Sequence, residues 1–240
     1  MQCVVLAGGL GTRMQRFTAS MPKALIPVAG EPFLRHQLRL LEANGVDNVV
    51  VLTGYRADMI SAEIAHEAWS RLHVSCVADG EELLGTAGAL RRVADLGVLD
   101  DVFILTYGDS YLTIDHRAVF EAFDPSRYGA LMTVTASGGD REHRNAAYAA
   151  GRVRLYRKGV ANPADLEMHH VDYGLSVMST SAIVDAIDPG ERADLAGVFE
   201  SLSVAGRLQG LETELCFHEI GSEDGLADLE RYLMAAVAPC

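Results

Sequence analysis

The strongest constraint on this chain is the alternation that fills its first half. Short β-branched runs take turns with segments whose apolar residues recur at helical spacing. Cys3–Leu6, Asn48–Thr53, His73–Val77, Val102–Thr106 and Ala130–Thr135 read as strands, because branched side chains suit a pleated, packed surface. Between them, Phe33–Asn44, Ala57–Ala68, Thr86–Val93 and Ile114–Phe123 read as helices, the first stopped by Gly45. A strand–helix repeat with continuous apolar strands predicts a mainly parallel sheet covered on both faces. The expected fold is therefore α/β and Rossmann-like, with a mixed, mainly parallel central sheet flanked by helices.

The second half is less regular. Arg152–Tyr156 and Val171–Met178 read as strands, and Ser181–Ala186 and Ala193–Ala205 as helices. Leu211–Ile220 contains a strand, and Glu223–Val237 closes the chain as a helix with Leu226, Leu229 and Leu233 on one face. No internal repeat, low-complexity tract or linker divides the 240 residues, so one domain over residues 1–240 is expected.

Twenty basic against 33 acidic residues leave a net charge of −13. That balance argues against nucleic acid or an anionic membrane as partner, since both require a basic face. No apolar run reaches the ~20 residues that span a bilayer, and no targeting signal is evident. Four scattered cysteines without a CxxC pair, Cys3 and Cys216 within apolar runs, suggest a reduced, cytoplasmic protein without structural zinc.

The stretch Leu6–Met14, LAGGLGTRM, follows the first strand. Glycines at the carboxyl end of a strand let backbone amides approach a phosphate or a flat base. The loop is neither of two familiar types. A Walker loop would need Lys-Ser/Thr after Gly11, where Thr12-Arg13 stands, and a dinucleotide fingerprint would need glycine at Met14. Lys23 follows ten residues after Arg13, ahead of Pro27 and Gly30. Two fixed cations beside a glycine loop suit a polyphosphate.

These blocks together resemble the sugar-1-phosphate nucleotidylyltransferases. The opening signature is matched by Leu6-Ala7-Gly8-Gly9-Leu10-Gly11-Thr12-Arg13, by Pro22-Lys23 and by Ile26-Pro27-Val28-Ala29-Gly30-Glu31-Pro32. Leu84–Leu90 (LGTAGAL), Tyr107–Leu112 (YGDSYL), the strand around Lys158, Asp172–Met178 and Phe217–Leu233 follow in the family's order. Two departures stand out: Arg157 where glutamate is common, and Glu219 where the family carries aspartate.

The resemblance implies a nucleotide-binding half over about residues 1–112 and a sugar-phosphate-binding half over about 113–240, without an appended C-terminal β-helix domain. It implies attack by a sugar 1-phosphate on the α-phosphorus of a nucleoside triphosphate, with Arg13, Lys23 and Asp109 as the catalytic set. Leu6, Ala7, Gly8, Gly9, Gly11, Thr12, Gly85 and Thr86 would bind the nucleotide. Gly108, Asn145, Lys158, Asp172 and Gly174 would bind the sugar phosphate. Asp109 and Glu219 would hold Mg²⁺, a hard ion that prefers oxygen donors. Glu82 ahead of Leu84–Gly88 is similar to the guanylyltransferases that make GDP-mannose or GDP-heptose. A cytidylyl- or uridylyltransferase, or a non-catalytic nucleotide-sugar-binding relative, stays open, as does a homodimer. His169-His170 is not expected to share a metal, because neighbours on a strand face opposite ways. His143 is read as part of a polar loop.

Overall fold

A computed structural model describes residues 1–9, 14–66, 69, 71–80, 83–136 and 144–237. Gly11, Thr12, Arg13, Glu82 and His143 lie outside the described residues.

The first strand, β1 (Gln2–Leu6), is buried along its whole length. After it come the short helix α1 (Gln15–Thr18), the small ribbon of β2 (Pro27–Val28) and β3 (Glu31–Pro32), and helix α2 (Phe33–Ala43). Helix α2 buries Phe33, Leu34, Gln37, Leu38 and Leu41, a stripe at helical spacing. It ends where Gly45 takes a φ of +81°, open to glycine without steric cost. Next are β4 (Asn48–Thr53), α3 (Ala57–His66), β5 (His73–Ala78), α4 (Gly85–Asp95) and β6 (Val102–Tyr107). Then β7 (Ser110–Leu112), α5 (His116–Ala122), β8 (Ala130–Thr135), β9 (Ala146–Ala149) and β10 (Arg152–Tyr156) complete the middle of the chain. The last elements are β11 (Val171–Ser179), α6 (Thr180–Ala186), α7 (Leu195–Val204), β12 (Leu208–Glu212), β13 (Phe217–Glu219) and α8 (Glu223–Val237).

Nine strands form one sheet in the order β5-β4-β1-β6-β11-β8-β12-β10-β9. All run in one sense except β11 and β10, which are antiparallel to each of their neighbours. Alternate side chains of one strand enter different layers. Val4, Leu6, Val50 and Leu52 join a core under α4, α6 and α7. Cys3, Val5, Val49 and Val51 join another under α2, α3 and α5. Burial on both faces fixes the register, since a one-residue slip would exchange the two sets.

Several expectations need adjusting. The strand expected within Leu211–Ile220 is β13, which pairs with β7 in a separate ribbon, and the span also takes in the end of β12 of the large sheet. Cys216, expected inside a strand, precedes β13 and is exposed. Helix α7 begins at Leu195 rather than Ala193, because the Asp194 side chain caps it by accepting from the Ala196 amide at 2.8 Å. Among the described residues, no helix is long and apolar enough to cross a membrane.

The order β5-β4-β1-β6 sets the position of the site. From β1 the chain moves outward to β4 and β5, then returns to add β6 on the other side of β1. At such a reversal the loops after the two neighbouring strands diverge and leave a crevice at their carboxyl ends.

Candidate active site

The crevice opens between the loop after β1 and the turn after β6. The amide of Gly108 donates to the Leu6 carbonyl at 2.9 Å, and a Cβ on Gly108 would stand 2.9 Å from that of Ala7. Only glycine allows these strand ends to abut. On the other side, a Cβ on Gly8 would meet an Asp79 carboxylate oxygen and the Gly54 amide, each at 3.4 Å.

Asp109 follows Gly108 and is met by Lys23. The Lys23 ammonium donates to Asp109 Oδ2 at 2.6 Å, and both side chains are partly buried. Lys23 opens a 3₁₀ turn over Lys23–Leu25 whose Ala24 and Leu25 are buried, which anchors the base of the lysine. The Asp109 turn is braced from below by Gln37, itself 2 % exposed, whose Nε2 donates to the carbonyls of Tyr107 at 2.8 Å and Ser110 at 2.9 Å. The Ser110 hydroxyl donates to Asp109 Oδ1 at 3.3 Å.

The pairing of β7 with β13 brings up the second carboxylate. Glu219 lies opposite Ser110, and the neighbouring Ile220 amide donates to the Asp109 carbonyl at 2.9 Å. Glu219 folds over Gly221, where a Cβ would come 3.1 Å from its Oε1. Among the described residues Glu219 makes no ion pair. Two carboxylates, Asp109 in the turn before β7 and the uncommitted Glu219 on β13, fit a hard divalent cation.

These elements enclose a cleft of about 460 Å³. Its walls include Leu6, Ala7, Gly8 and Gly9 from the first loop, Lys23, Gly85 and Thr86 at the start of α4, and Gly108 and Asp109 after β6. Nine of the residues singled out in the sequence thus meet in one hollow. Eight wall residues were given no role from the sequence, among them Met14, Asp79, Tyr107 and Arg192. Burial raises the Asp79 carboxyl above its ordinary range, with the Arg92 charge opposing. Burial, then the charges of Asp172, Asp194 and Asp109, hold the Tyr107 phenol well above its ordinary value. Asp79 and Arg192 belong to no recognisable motif, so contact across the fold is what reveals them.

Of the expected sugar-side residues Gly108 lines the cleft, whereas Asn145, Lys158, Asp172 and Gly174 form a second cluster outside its wall. The Asp172 amide donates to Asn145 Oδ1 at 2.9 Å, and Asp172 Oδ1 accepts from the Gly174 amide at 2.9 Å. Tyr156 Oη approaches Asp172 Oδ2 at 3.5 Å. Burial raises the Asp172 carboxyl, while the Gly174 amide and the Lys158 charge oppose that rise. Tyr107 links this cluster to the cleft through the charge of Asp172. Arg157 points elsewhere, pairing with Glu200 on α7 at 2.6 Å. His170 pairs with Glu212 at 3.0 Å while His169 is exposed, so the two histidines do not converge.

A family profile described as the MobA-like NTP transferase domain matches residues 3–178. The glucose-1-phosphate cytidylyltransferase of Salmonella typhimurium is 26 % identical over 209 residues, 78 % of each chain. A protein of Sulfolobus acidocaldarius named putative mannose-1-phosphate guanyltransferase is 32 % identical over 145 residues, 54 % of this chain and 40 % of that one. Among solved structures, HddC from Yersinia pseudotuberculosis complexed with GMP-PN superposes with a TM-score of 0.77 at 22 % identity. That superposition covers 97 % of this chain and 99 % of HddC, and establishes the shared fold. Matched from residue 3 to residue 178, the chain belongs to the MobA-like NTP transferase domain family, in keeping with the sugar-1-phosphate nucleotidylyltransferase motifs that open it.

Proposed function

We propose that the protein transfers GMP from GTP to a mannose- or heptose-1-phosphate-like sugar 1-phosphate, forming a GDP-sugar and releasing pyrophosphate. The observation that carries this reading is the Lys23–Asp109 contact of 2.6 Å at the mouth of a glycine-walled cleft. A cation and an anion held there suit a polyphosphate together with its metal counter-ion.

In the proposed reaction a sugar-phosphate oxygen forms a bond to the α-phosphorus while the bond to the β-phosphate bridging oxygen breaks. Pyrophosphate leaves with that electron pair. The nucleophile is already anionic near neutral pH, because the second pKa of a phosphate monoester is about 6. No general base is needed, and the task reduces to aligning two polyanions and offsetting their repulsion. The backbone of Leu6–Gly9 holds the nucleotide and Lys23 bridges the α-phosphate and the incoming phosphate. Thr12 and Arg13, next along the same loop, grip the leaving phosphates. Asp109 and Glu219 would hold Mg²⁺, which would supply further charge neutralisation. Lys158, Asn145, Asp172 and the Gly174 backbone face the sugar phosphate.

Asp79 supports GTP over the other triphosphates. Its carboxylate packs against Gly8 and Gly54 in the cleft wall. A carboxylate only accepts hydrogen bonds. Guanine presents two adjacent donors, N1–H and N2–H, that match its two oxygens, whereas cytosine offers only its N4 amino group, with the N3 acceptor beside it. Coverage of 78 % by a cytidylyltransferase relative makes CTP the competing substrate. The test is pyrophosphate release with GTP, CTP, UTP and dTTP, each paired with mannose, heptose and glucose 1-phosphates and Mg²⁺. Release with GTP and mannose or heptose 1-phosphate is expected. Faster release with CTP would overturn the base assignment, and no release from any pair would overturn the activity.

A further inference from the structure

Thr86 lines the cleft, yet its hydroxyl is already engaged by its own chain. It accepts from the Leu195 amide at 2.8 Å and donates to Asp194 Oδ2 at 3.4 Å. Those partners belong to a strap, Glu191–Leu195, that joins α6 to α7 and lies across the first turn of α4. Backbone contacts on both sides of Thr86 secure it. The Ala193 amide donates to the Leu84 carbonyl at 2.9 Å, and the Ala193 carbonyl accepts from the amides of Ala87 at 3.0 Å and Gly88 at 3.3 Å.

Amides that a helix start would otherwise offer to an anion are thus occupied by the strap. The glycines of this segment make room for it. A Cβ on Gly85 would stand 2.5 Å from the Ala193 carbonyl oxygen, and one on Gly88 would run into that of Glu191. The strap carries Arg192 into the cleft wall. Among the described residues that guanidinium makes no hydrogen bond or ion pair. With Lys23 committed to Asp109, Arg192 is the uncommitted cation among the described wall residues.

We propose that Thr86 is a positioning residue: by pinning the strap it holds the Arg192 guanidinium in the cleft as a phosphate-binding group. The Thr86 hydroxyl then serves phosphate recognition through Arg192. The inference rests on the proposed function for its ligands.

Binding is read by calorimetry with GTP and, separately, with mannose 1-phosphate, on wild type, Thr86→Val, Thr86→Ser, Arg192→Ala and the Thr86→Val/Arg192→Ala double variant. Valine keeps the shape and loses the hydroxyl; serine keeps the hydroxyl. Thr86→Val is expected to weaken one phosphate ligand about 10-fold, the loss of one charge-assisted contact. The ligand affected identifies which phosphate Arg192 holds. Thr86→Ser is expected within threefold of wild type. In the Arg192→Ala background, Thr86→Val is expected to add less than twofold. Thr86→Val binding both ligands as wild type does, or acting undiminished without Arg192, would overturn the proposal. Wild-type protein binding neither ligand would overturn the functional reading itself, a result distinct from those two.

Discussion

Gln37 offers the sharpest test of how the fold aims Asp109. Its amide nitrogen holds the carbonyls on either side of the Gly108-Asp109 turn, at 2.8 and 2.9 Å. Its own carbonyl oxygen is buried without a partner among the described residues. Replacing Gln37 by methionine keeps length and volume and removes both donors. Two hydrogen bonds lost at about 1 kcal/mol each, plus desolvation of the carbonyls left behind, come to about 3–5 kcal/mol. Removing the orphaned oxygen returns about 1–3 kcal/mol. The net loss is about 2 kcal/mol, or roughly 4–8 °C in Tm for a chain of this size. A larger share should fall on turnover, because a catalytic group displaced by about 1 Å can lose ~100-fold in rate. Pyrophosphate release at saturating substrates is expected to fall at least 10-fold, with a raised Mg²⁺ requirement and an unchanged GTP affinity. If kcat stayed within twofold of wild type while Tm fell as expected, Gln37 would be an ordinary core residue and the bracing of Asp109 would be refuted.

Other perturbations probe other parts. Burial makes the folded protein hold the Asp79 proton more tightly than the unfolded chain does, so this group's contribution to stability falls as pH rises from its unfolded to its raised folded pKa. Asp79→Asn should therefore raise Tm at neutral pH while weakening GTP about 10-fold or more, and wild-type GTP affinity should decline as pH drops through that raised value; a lower Tm with unchanged affinity would contradict both. Gly88→Ala should lower Tm even though alanine favours a helix over glycine by about 1 kcal/mol, because its methyl meets the Glu191 carbonyl; a raised Tm would show that the strap yields freely. Arg157→Ala should cost less than about 1 kcal/mol and leave kcat/KM within twofold, since its exposed pair with Glu200 faces α7; a large loss of activity would place Arg157 in the site.

What could be read from the sequence follows the physics of each segment. Asn48–Thr53 and Ala130–Thr135 announce themselves because a strand buried on both faces must be apolar throughout. The AAYA strand Ala146–Ala149 lies at the sheet edge, is short and lacks β-branched residues, so nothing local marks it. The span Leu211–Ile220, read as containing a strand, holds β13 and the end of β12, parted after Glu212 where the Leu215 amide turns back to the Thr213 hydroxyl at 3.2 Å. The glycine loop and Lys23 stand out because backbone approach and charge limit which residues can serve, Asp109 stands out through the family resemblance, and Gly8, Gly9, Lys23 and Asp109 line one cleft. Arg192, Asp79 and Gln37 do not: Arg192 reaches the cleft through contacts between residues more than one hundred positions apart. Such pairings exist only once the sheet has brought α4 and α7 together.

The proposed transfer requires one arrangement, a triphosphate held between Lys23 and a metal ion at Asp109. A crystal structure with a non-hydrolysable GTP analogue and Mg²⁺ tests it most directly. The expected density puts the α-phosphate beside the Lys23 ammonium, the metal on the carboxylates of Asp109 and Glu219, and guanine against Asp79. A nucleotide bound outside this cleft, or one leaving the Lys23–Asp109 pair closed and the metal elsewhere, would contradict it.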